Sequence, residues 1–321
     1  MILAARPGKH FSDLFRTLAL GLILTVAIAI FYSRVRHAGY IWDDEQHLTQ
    51  NPVIVGPLGF AKIWTSARAV YYPLVLTTFW TLHKFVGLNP LPYHALNVAW
   101  HALSALLFWR VLAQLRIRAA WLGAAIWALH PVVVQSVAWI TEMKNTQSAV
   151  FYLLAISLFL QSRDVKYHRV LYLLSLVSFV AAITSKPSTV ILPAVLALCL
   201  WWREGSFRWR DLRQLIPFLL ISLIASAWTI WEQKFHAGAT GPEWAQTALQ
   251  RILISADAIW FYLLKLIWPY PLIFIYPRWN VDPAQPLAYV PLVVLVIVAI
   301  FLFVVRNGLL RPVFFAFAYF V

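Results

Sequence analysis

Three consecutive carboxylates, Asp43, Asp44 and Glu45, form the densest group of acids in this sequence. They supply three of its 12 acidic residues and follow the aromatic side chain of Trp42. Like charges this close repel one another, which favours proton uptake by one of them, and such a carboxylate suits a general base. A solvated charge cluster that ends a helix is the alternative. A divalent-metal site would need ligands from elsewhere, because consecutive residues do not all point at one ion.

A polar stripe opens one of the apolar stretches of the chain. His94, Asn97 and His101 are separated by offsets of three and seven residues, which align them along one face of a helix. A polar stripe that enters a membrane helix requires partners or a water-filled cavity. Two interpretations stay open: a substrate pocket lined by His94 and Asn97, and a set of interhelical hydrogen bonds.

Further polar residues flank the same region. Tyr72 follows the acidic cluster at a distance, His130 precedes a proline that ends or kinks a helix, and Glu142 and Lys144 precede the next apolar stretch. Together with Glu45, these four residues are candidate substrate-binding residues. An interfacial aromatic ring and an ordinary ion pair are the alternatives for Tyr72 and for Glu142 with Lys144.

Two cations are candidate phosphate ligands. Lys186 is the only cation in the tight turn at 185–187, with apolar stretches on both sides. Arg278 stands between a proline and a tryptophan, close to Tyr276, and such surroundings hold it rigidly. An anionic headgroup or a phosphate suits both side chains. Snorkelling to the interface is the alternative for Lys186, and a solvated loop arginine is the alternative for Arg278.

The elements that must position these residues are membrane helices. The chain of 321 residues is 62% hydrophobic and 12% charged, whereas soluble domains are near half apolar and about a quarter charged. The composition also excludes an intrinsically disordered chain. A membrane-crossing helix needs about 20 mostly apolar residues. Eight spans are predicted, at 14–33, 94–112, 119–129 extended towards 138, 145–162, 170–185, 188–202, 214–231 and 287–305.

The distribution of Lys and Arg predicts the orientation of the chain. With the N-terminus inside, the inner segments hold 15 cations against four acids, or +11, and the outer segments hold 11 cations against eight acids, or +3. These values recover the net charge of +14. The basic excess therefore reflects the preference of Lys and Arg for the cytoplasmic side, which argues against a nucleic-acid partner.

This topology leaves two long outer loops, at about 34–93 and 232–286, within a single membrane domain over 1–321. The stretch 252–268 is predicted as a helix lying on or dipping into the outer leaflet, because a crossing there would move Arg306 and Arg311 outside. Long connections usually carry function. The apolar stretch 312–321 is expected to be a further span that is cut off.

Several classes of soluble chemistry lack their motifs. The single cysteine, Cys199, excludes a disulfide scaffold and a cysteine-based metal site. A Gly-rich phosphate loop, a Ser-His-Asp pattern and a zinc signature are all missing from the sequence. Acids and cations beside a membrane suit a reaction on a lipid-linked phosphate.

Six stretches of the sequence, in order, resemble bacterial members of the tetratricopeptide-associated membrane glycosyltransferases, relatives of the eukaryotic transmembrane O-mannosyltransferases. They are WDDEQHLTQNP at 42–52, YYPL at 71–74, GLNPLPYHALNVAWHALSALL at 87–107, ALHPVVVQSVAWITEMKN at 128–145, SKPSTVILP at 185–193 and IWPYPLIFIYPRW at 267–279. They cover nearly the whole chain.

The resemblance implies an all-α polytopic fold of the GT-C type, with about eight or nine transmembrane helices. It implies an inverting transfer of a sugar, mannose in the family's protein-modifying members, from a polyprenyl-phosphate donor to a hydroxyl of a protein, glycan or lipid. The base would be Asp44, with Asp43 as the alternative. No cofactor is firmly implied, and a divalent metal is possible without being predicted. The expected location is a bacterial inner membrane, with the site facing the exterior and membrane lipids around it.

The sequence departs from the family pattern at two positions and at its end. Gln135 stands where members commonly have Glu, and Tyr72 stands where His or Arg is frequent. The tetratricopeptide repeats that usually follow are absent. Two other functions stay open: a transporter or lipid flippase, which would often show inverted repeats, and a degenerate scaffold that has lost activity.

Overall fold

Helices make up all the regular secondary structure that the chain forms in its described residues. The computed structural model describes residues 7–65, 72–164, 167–206, 208–235 and 246–321, with side chains from residue 13 onward. Tyr71, Lys166 and the 236–245 part of the predicted second outer loop lie outside this range. No strand occurs within it, so the all-α prediction is confirmed.

The described residues form 13 α-helices. They are α1 (Pro7–Phe31), α2 (Gly59–Thr65), α3 (Pro73–Val86), α4 (Pro90–Gln114), α5 (Ala120–Ala128), α6 (Val134–Ala138), α7 (Met143–Ser162), α8 (His168–Ser185), α9 (Leu192–Glu204), α10 (Trp209–Phe235), α11 (Ala248–Ile267), α12 (Val290–Val304) and α13 (Arg311–Phe320).

Five helices among the described residues are long and apolar enough to cross a membrane. They span Asp13–Phe31, Pro90–Gln114, His168–Ser185, Trp209–Phe235 and Pro286–Val304. The pair α5 and α6 makes a sixth if it counts as one broken span, with a bend of 51° between its halves. The protein is thus a polytopic membrane protein.

Two predicted spans are not of this kind. The stretch at 145–162 is helical in α7, but the polar residues of its first two turns lower its mean hydropathy. The stretch at 188–202 begins as a 3₁₀ helix (Pro187–Ile191), which leaves α9 only 13 residues long. At 145–162 the helix is long enough and its mean hydropathy is too low, whereas at 188–202 the continuous helix is too short.

The chain divides into two compact units, and a single membrane domain over 1–321 stays a prediction. The first unit comprises Met1–Leu192 with Ile216–Ser226. In it α4 packs against α5 and α7, and α7 packs against α8. Ala105 and Ala124 are fully buried in the cluster shared by α1, α4 and α5, because small side chains let membrane helices approach closely.

The second unit comprises Pro193–Leu215 and Ala227–Val321. Its helix α11 covers most of the predicted 252–268 helix and begins with a capping box between Thr247 and Gln250. The indole N–H of Trp260 donates to the carbonyl of Pro291 at 2.9 Å, which joins α11 to α12.

The aromatic cluster around Phe218 fixes the helices of the first unit. The Phe218 side chain is fully buried and contacts the rings of Phe159 and Phe179 at centroid distances of 5.7 Å and 5.6 Å. We expect Phe218→Ala to destabilise the protein by about 3 kcal/mol, through lost packing. Denaturant titration in detergent micelles measures the change. Leu220→Ala on the exposed face of α10 is the control, and an equal loss in both variants would contradict this role of Phe218.

Candidate active site

The acidic cluster begins in a tight turn at 41–44. The backbone N–H of Asp44 donates to the carbonyl of Ile41 at 3.0 Å, and the N–H of Ile41 donates to Asp44 Oδ2 at 2.9 Å. Trp42 at the tip has a φ of 44°, a left-handed conformation that costs about 1–2 kcal/mol for a residue with a side chain. The turn therefore fixes the directions in which Trp42 and Asp43 project.

The Asp44 carboxylate is completely buried, and its second oxygen reaches a distant segment. Oδ1 accepts from the backbone N–H of Thr141 at 2.8 Å and also from the Thr141 hydroxyl. Three donors thus hold the two oxygens of Asp44, as burial of a charged group requires. Asp43 is half-buried and Glu45 is exposed. Of the three acids, Asp44 is the one least able to meet a substrate.

Asn97 holds the segment that carries Thr141. Its Nδ2 donates to the carbonyls of Ser136, Val137 and Trp139 at 3.2, 2.9 and 3.0 Å, and its Oδ1 accepts from the hydroxyl of Thr146. These bonds engage the whole amide. Interhelical hydrogen bonding, the second of the two interpretations of the polar stripe, therefore describes Asn97.

Three histidines of this region, His94, His101 and His130, are buried or bond to the backbone. His101 Nε2 lies 2.8 Å from the carbonyl of Ala128, at the end of α5. His130 caps the next turn, because its Nδ1 accepts from the N–H of Val132 at 3.3 Å. His94 is buried. A role of His94 or His130 in substrate binding stays a prediction.

A second group of charges lies at the start of α7 and joins it to the turn after α8. Lys144 forms an ion pair with Glu142 at 2.9 Å. Asn145 Nδ2 donates to the other oxygen of Glu142 and, at 2.9 Å, to the Ser136 hydroxyl. Asn145 Oδ1 accepts from the Lys186 ammonium group. The structure thus joins Glu142, Lys144 and Lys186, three of the predicted residues, in one connected group.

This group carries more positive than negative charge. It contains two ammonium groups, of Lys144 and Lys186, and one carboxylate, of Glu142, which pairs with Lys144 and acts on Lys186 through its charge. Burial lowers the pKa of Lys186, and the nearby charge of Lys144 lowers it further, while Glu142 acts in the opposite direction. A bound anion would relieve the repulsion between the two lysines.

His47 and Tyr72 lie between the acidic turn and the lysines. The Tyr72 hydroxyl and His47 Nδ1 are 2.7 Å apart, and Lys144 Nζ is 5.7 Å from the centre of the Tyr72 ring. Burial lowers the pKa of His47, and Lys144 contributes in the same direction, whereas Asp43 acts against them. His47 is therefore close enough to feel both groups of charges.

Sequence reasoning missed His47, Thr141 and Asn145. All three stand inside stretches that it singled out, at 42–52 and 128–145. Their polarity next to a predicted site was the available signal. Their partners, however, depend on the packing of distant segments.

Tyr276 and Arg278 belong to the second unit. The Tyr276 hydroxyl donates to the carbonyl of Pro271 at 3.1 Å and accepts from the N–H of Ile273 at 3.3 Å, so it stabilises its own loop. Arg278 is exposed. The participation of either residue in a shared site stays a prediction. As for metals, no three His, Cys, Asp or Glu side chains of the described residues converge in a manner suited to an ion.

The chain is similar in sequence to several protein O-mannosyl-transferases. One from Caenorhabditis elegans is 24% identical over 161 residues, which is 45% of this chain and 23% of that protein. TMTC3 of Mus musculus is 25% identical over 44% of this chain and 17% of its own length. Tmtc1 of Drosophila melanogaster is 28% identical over 47% of this chain and 19% of its own length.

The matched segments span about a fifth of these relatives' length. No family model matches the chain, and no solved structure matches it. The similarities support a relationship to the TMTC-type protein O-mannosyl-transferases. The assignments to bacteria and to the GT-C fold stay predictions.

The hydrogen bonds of Asp44 predict unequal effects of two neighbouring substitutions. Asp44→Asn replaces one acceptor oxygen by an NH₂ group that faces N–H or O–H donors, so we expect a loss of about 2 kcal/mol in the free energy of unfolding. Asp43→Asn should change it by less than about 0.5 kcal/mol. Denaturant titration of both variants in the same detergent measures the difference. Equal stabilities would contradict the structural role of Asp44.

Proposed function

We propose that this protein is a membrane glycosyltransferase that moves a sugar from a polyprenyl-phosphate donor to a hydroxyl of an acceptor. The observation that carries the proposal is the group of residues described above, in which His47 lies within reach of the charges of Asp43 and Lys144, and Asn145 joins Glu142, the partner of Lys144, to Lys186. The relatives are named protein O-mannosyl-transferases, which supports transfer to protein, with mannose as the sugar.

Asp43 is the better base of the two candidates. A base must come within hydrogen-bond distance of the proton that it removes, and the oxygens of Asp44 are buried and engaged by Ile41 and Thr141. Asp43 stands next to it on the tip of the same turn and is partly accessible. In this assignment Asp44 positions the turn, and Asp43 accepts the proton of the acceptor hydroxyl.

The two lysines suit the leaving phosphate. In an inverting displacement the acceptor oxygen forms a bond to the anomeric carbon while the bond from that carbon to the phosphate oxygen breaks. The electron pair of the broken bond stays on the phosphate, so no general acid is required. Lys186, with Lys144 beside it, would stabilise the growing negative charge.

The proposed reaction takes place at the outer face of a bacterial inner membrane. The uneven distribution of cations, +11 on the predicted inner segments against +3 on the outer ones, supports this orientation. Thr141 bonds to the turn at 41–44 and Asn145 bonds to the turn at 185–187, so both turns lie at the start of α7. A hydrophobic carrier keeps the donor within reach of residues at that surface.

Asp43→Asn is expected to lower the turnover number at least about a hundredfold, because the variant lacks a base. The measurement is transfer of radiolabelled sugar from a polyprenyl-phosphate donor to an acceptor peptide, with the full chain in reconstituted vesicles. Asp13→Asn, which changes an exposed carboxylate in the second turn of α1, is the matched control.

Three outcomes are informative in this assay. Full turnover in Asp43→Asn would refute Asp43 as the base. A loss in Asp44→Asn alone, with unchanged stability, would return that role to Asp44. Movement of the lipid-linked sugar across the vesicle membrane without any glycosylated product would favour a flippase.

Lys186 gives a pH-dependent prediction. The ammonium form binds phosphate, so donor binding should weaken as the pH rises through the lowered pKa of Lys186, that is, below the ordinary range for lysine. Lys186→Arg should remove this pH dependence, because arginine stays charged. Lys186→Gln should raise the KM for the donor about tenfold or more at neutral pH.

The control for these variants is Lys62→Gln, an exposed lysine on α2. The KM for the donor is measured from pH 6 to pH 10, about every half pH unit, for the wild type and each variant. A donor KM that follows the same pH curve in the wild type and in Lys186→Arg would refute the phosphate role.

A further inference from the structure

Trp42 presents a large aromatic ring beside the proposed base. Its side chain is 57% exposed at the tip of the turn that also carries Asp43. Hydrogen bonds at 3.0 Å and 2.9 Å between Ile41 and Asp44 close this turn twice. The proton transfer and the phosphate contacts make no use of this ring.

The orientation of the Trp42 ring is fixed before any ligand arrives. The ring stacks on that of Trp139 with a centroid distance of 5.9 Å and an angle of 6° between the planes. Trp139 is only 6% exposed, and its carbonyl accepts from Asn97 at 3.0 Å. The backbone φ of 44° at Trp42 departs from the usual regions, and such strain concentrates at functional sites.

We propose that the indole of Trp42 is a stacking platform for a pyranose ring, a proposal that rests on glycosyl transfer as the function. One face of a pyranose exposes C–H groups, whose partial positive charge suits the negative face of an aromatic ring. The hydroxyl groups at the edge of the same sugar can then reach the carboxylate of Asp43, the next residue. The ring of Trp42 thus suits the C–H face of the sugar, and the carboxylate of Asp43 suits its hydroxyl groups.

The same chemistry fits two sources of sugar. The ring could bind the sugar of the lipid-linked donor, or it could bind a sugar already present on the acceptor. Kinetics separate the two, because loss of the platform raises the KM of whichever substrate carries the stacked ring. An interfacial anchor in the lipid headgroups is the competing role of an exposed tryptophan.

The test compares three variants of the full chain in lipid nanodiscs, two at Trp42 and one at a distant tryptophan. Trp42→Phe retains an aromatic ring, Trp42→Leu retains only apolar bulk, and Trp209→Leu changes a tryptophan that is 68% exposed on α10. Binding of methyl mannopyranoside and methyl glucopyranoside is measured by saturation-transfer NMR, and the melting temperature of each variant is measured in parallel.

We expect Trp42→Leu to weaken binding of a methyl pyranoside about tenfold, and Trp42→Phe to weaken it less than about threefold. Trp209→Leu should leave binding unchanged. In the transfer assay, Trp42→Leu should raise the KM of the donor or of a glycosylated acceptor, with a smaller change in kcat. A higher donor KM assigns the platform to the transferred sugar, and a higher acceptor KM assigns it to an acceptor glycan.

Two results would overturn the proposal. One is wild-type sugar binding in a folded Trp42→Leu. The other is an equal loss in Trp209→Leu, which would identify a general anchoring effect. Failure of the proposed function is distinguishable, because it would abolish transfer in the wild type while binding of the methyl pyranoside still depended on Trp42.

Discussion

The buried carboxylate of Asp44 is the contact on which the geometry of the site depends. It accepts hydrogen bonds from Ile41 within its own turn and from Thr141, which is 97 residues away along the chain. A carboxylate without these donors would be costly to bury, so the two segments are held in one relative position. Because the bonds use both oxygens, they also determine which way Trp42 and Asp43 face.

The partner segment is held in turn by an amide inside the membrane bundle. Where α6 ends at Ala138, backbone carbonyls lose their helical partners. Irregular backbone in a membrane protein is tolerated only where the protein itself satisfies such groups. Asn97 does so for the carbonyls of Ser136, Val137 and Trp139, which allows the chain to turn from α6 into α7. Asn97, a member of the polar stripe of α4, therefore stabilises the segment that carries Thr141.

Sequence reasoning succeeded where a property depends on local composition and failed where it depends on long-range pairing. Apolar runs predict helices in a bilayer, and the described residues form them. The orientation that the uneven placement of Lys and Arg indicates stays a prediction. Pro131 does predict the break after α5, but the apolar run at 188–202 does not show that a 3₁₀ helix precedes α9. Local sequence also does not distinguish the roles of Asp43 and Asp44. Asp44 is the buried acid because Thr141, 97 residues later in the chain, donates to it.

One short segment contacts both the turn of the proposed base and the proposed phosphate ligand. Thr141 donates to Asp44 in the acidic turn, and Asn145, four residues later, accepts from Lys186. The backbone bonds from Met143 to Ile140 at 2.9 Å and from Asn145 to Glu142 at 2.8 Å join residues three apart, so tight turns order this segment. In the proposed reaction, the base and the leaving phosphate lie on opposite sides of the anomeric carbon, and the placement of both depends on this one segment.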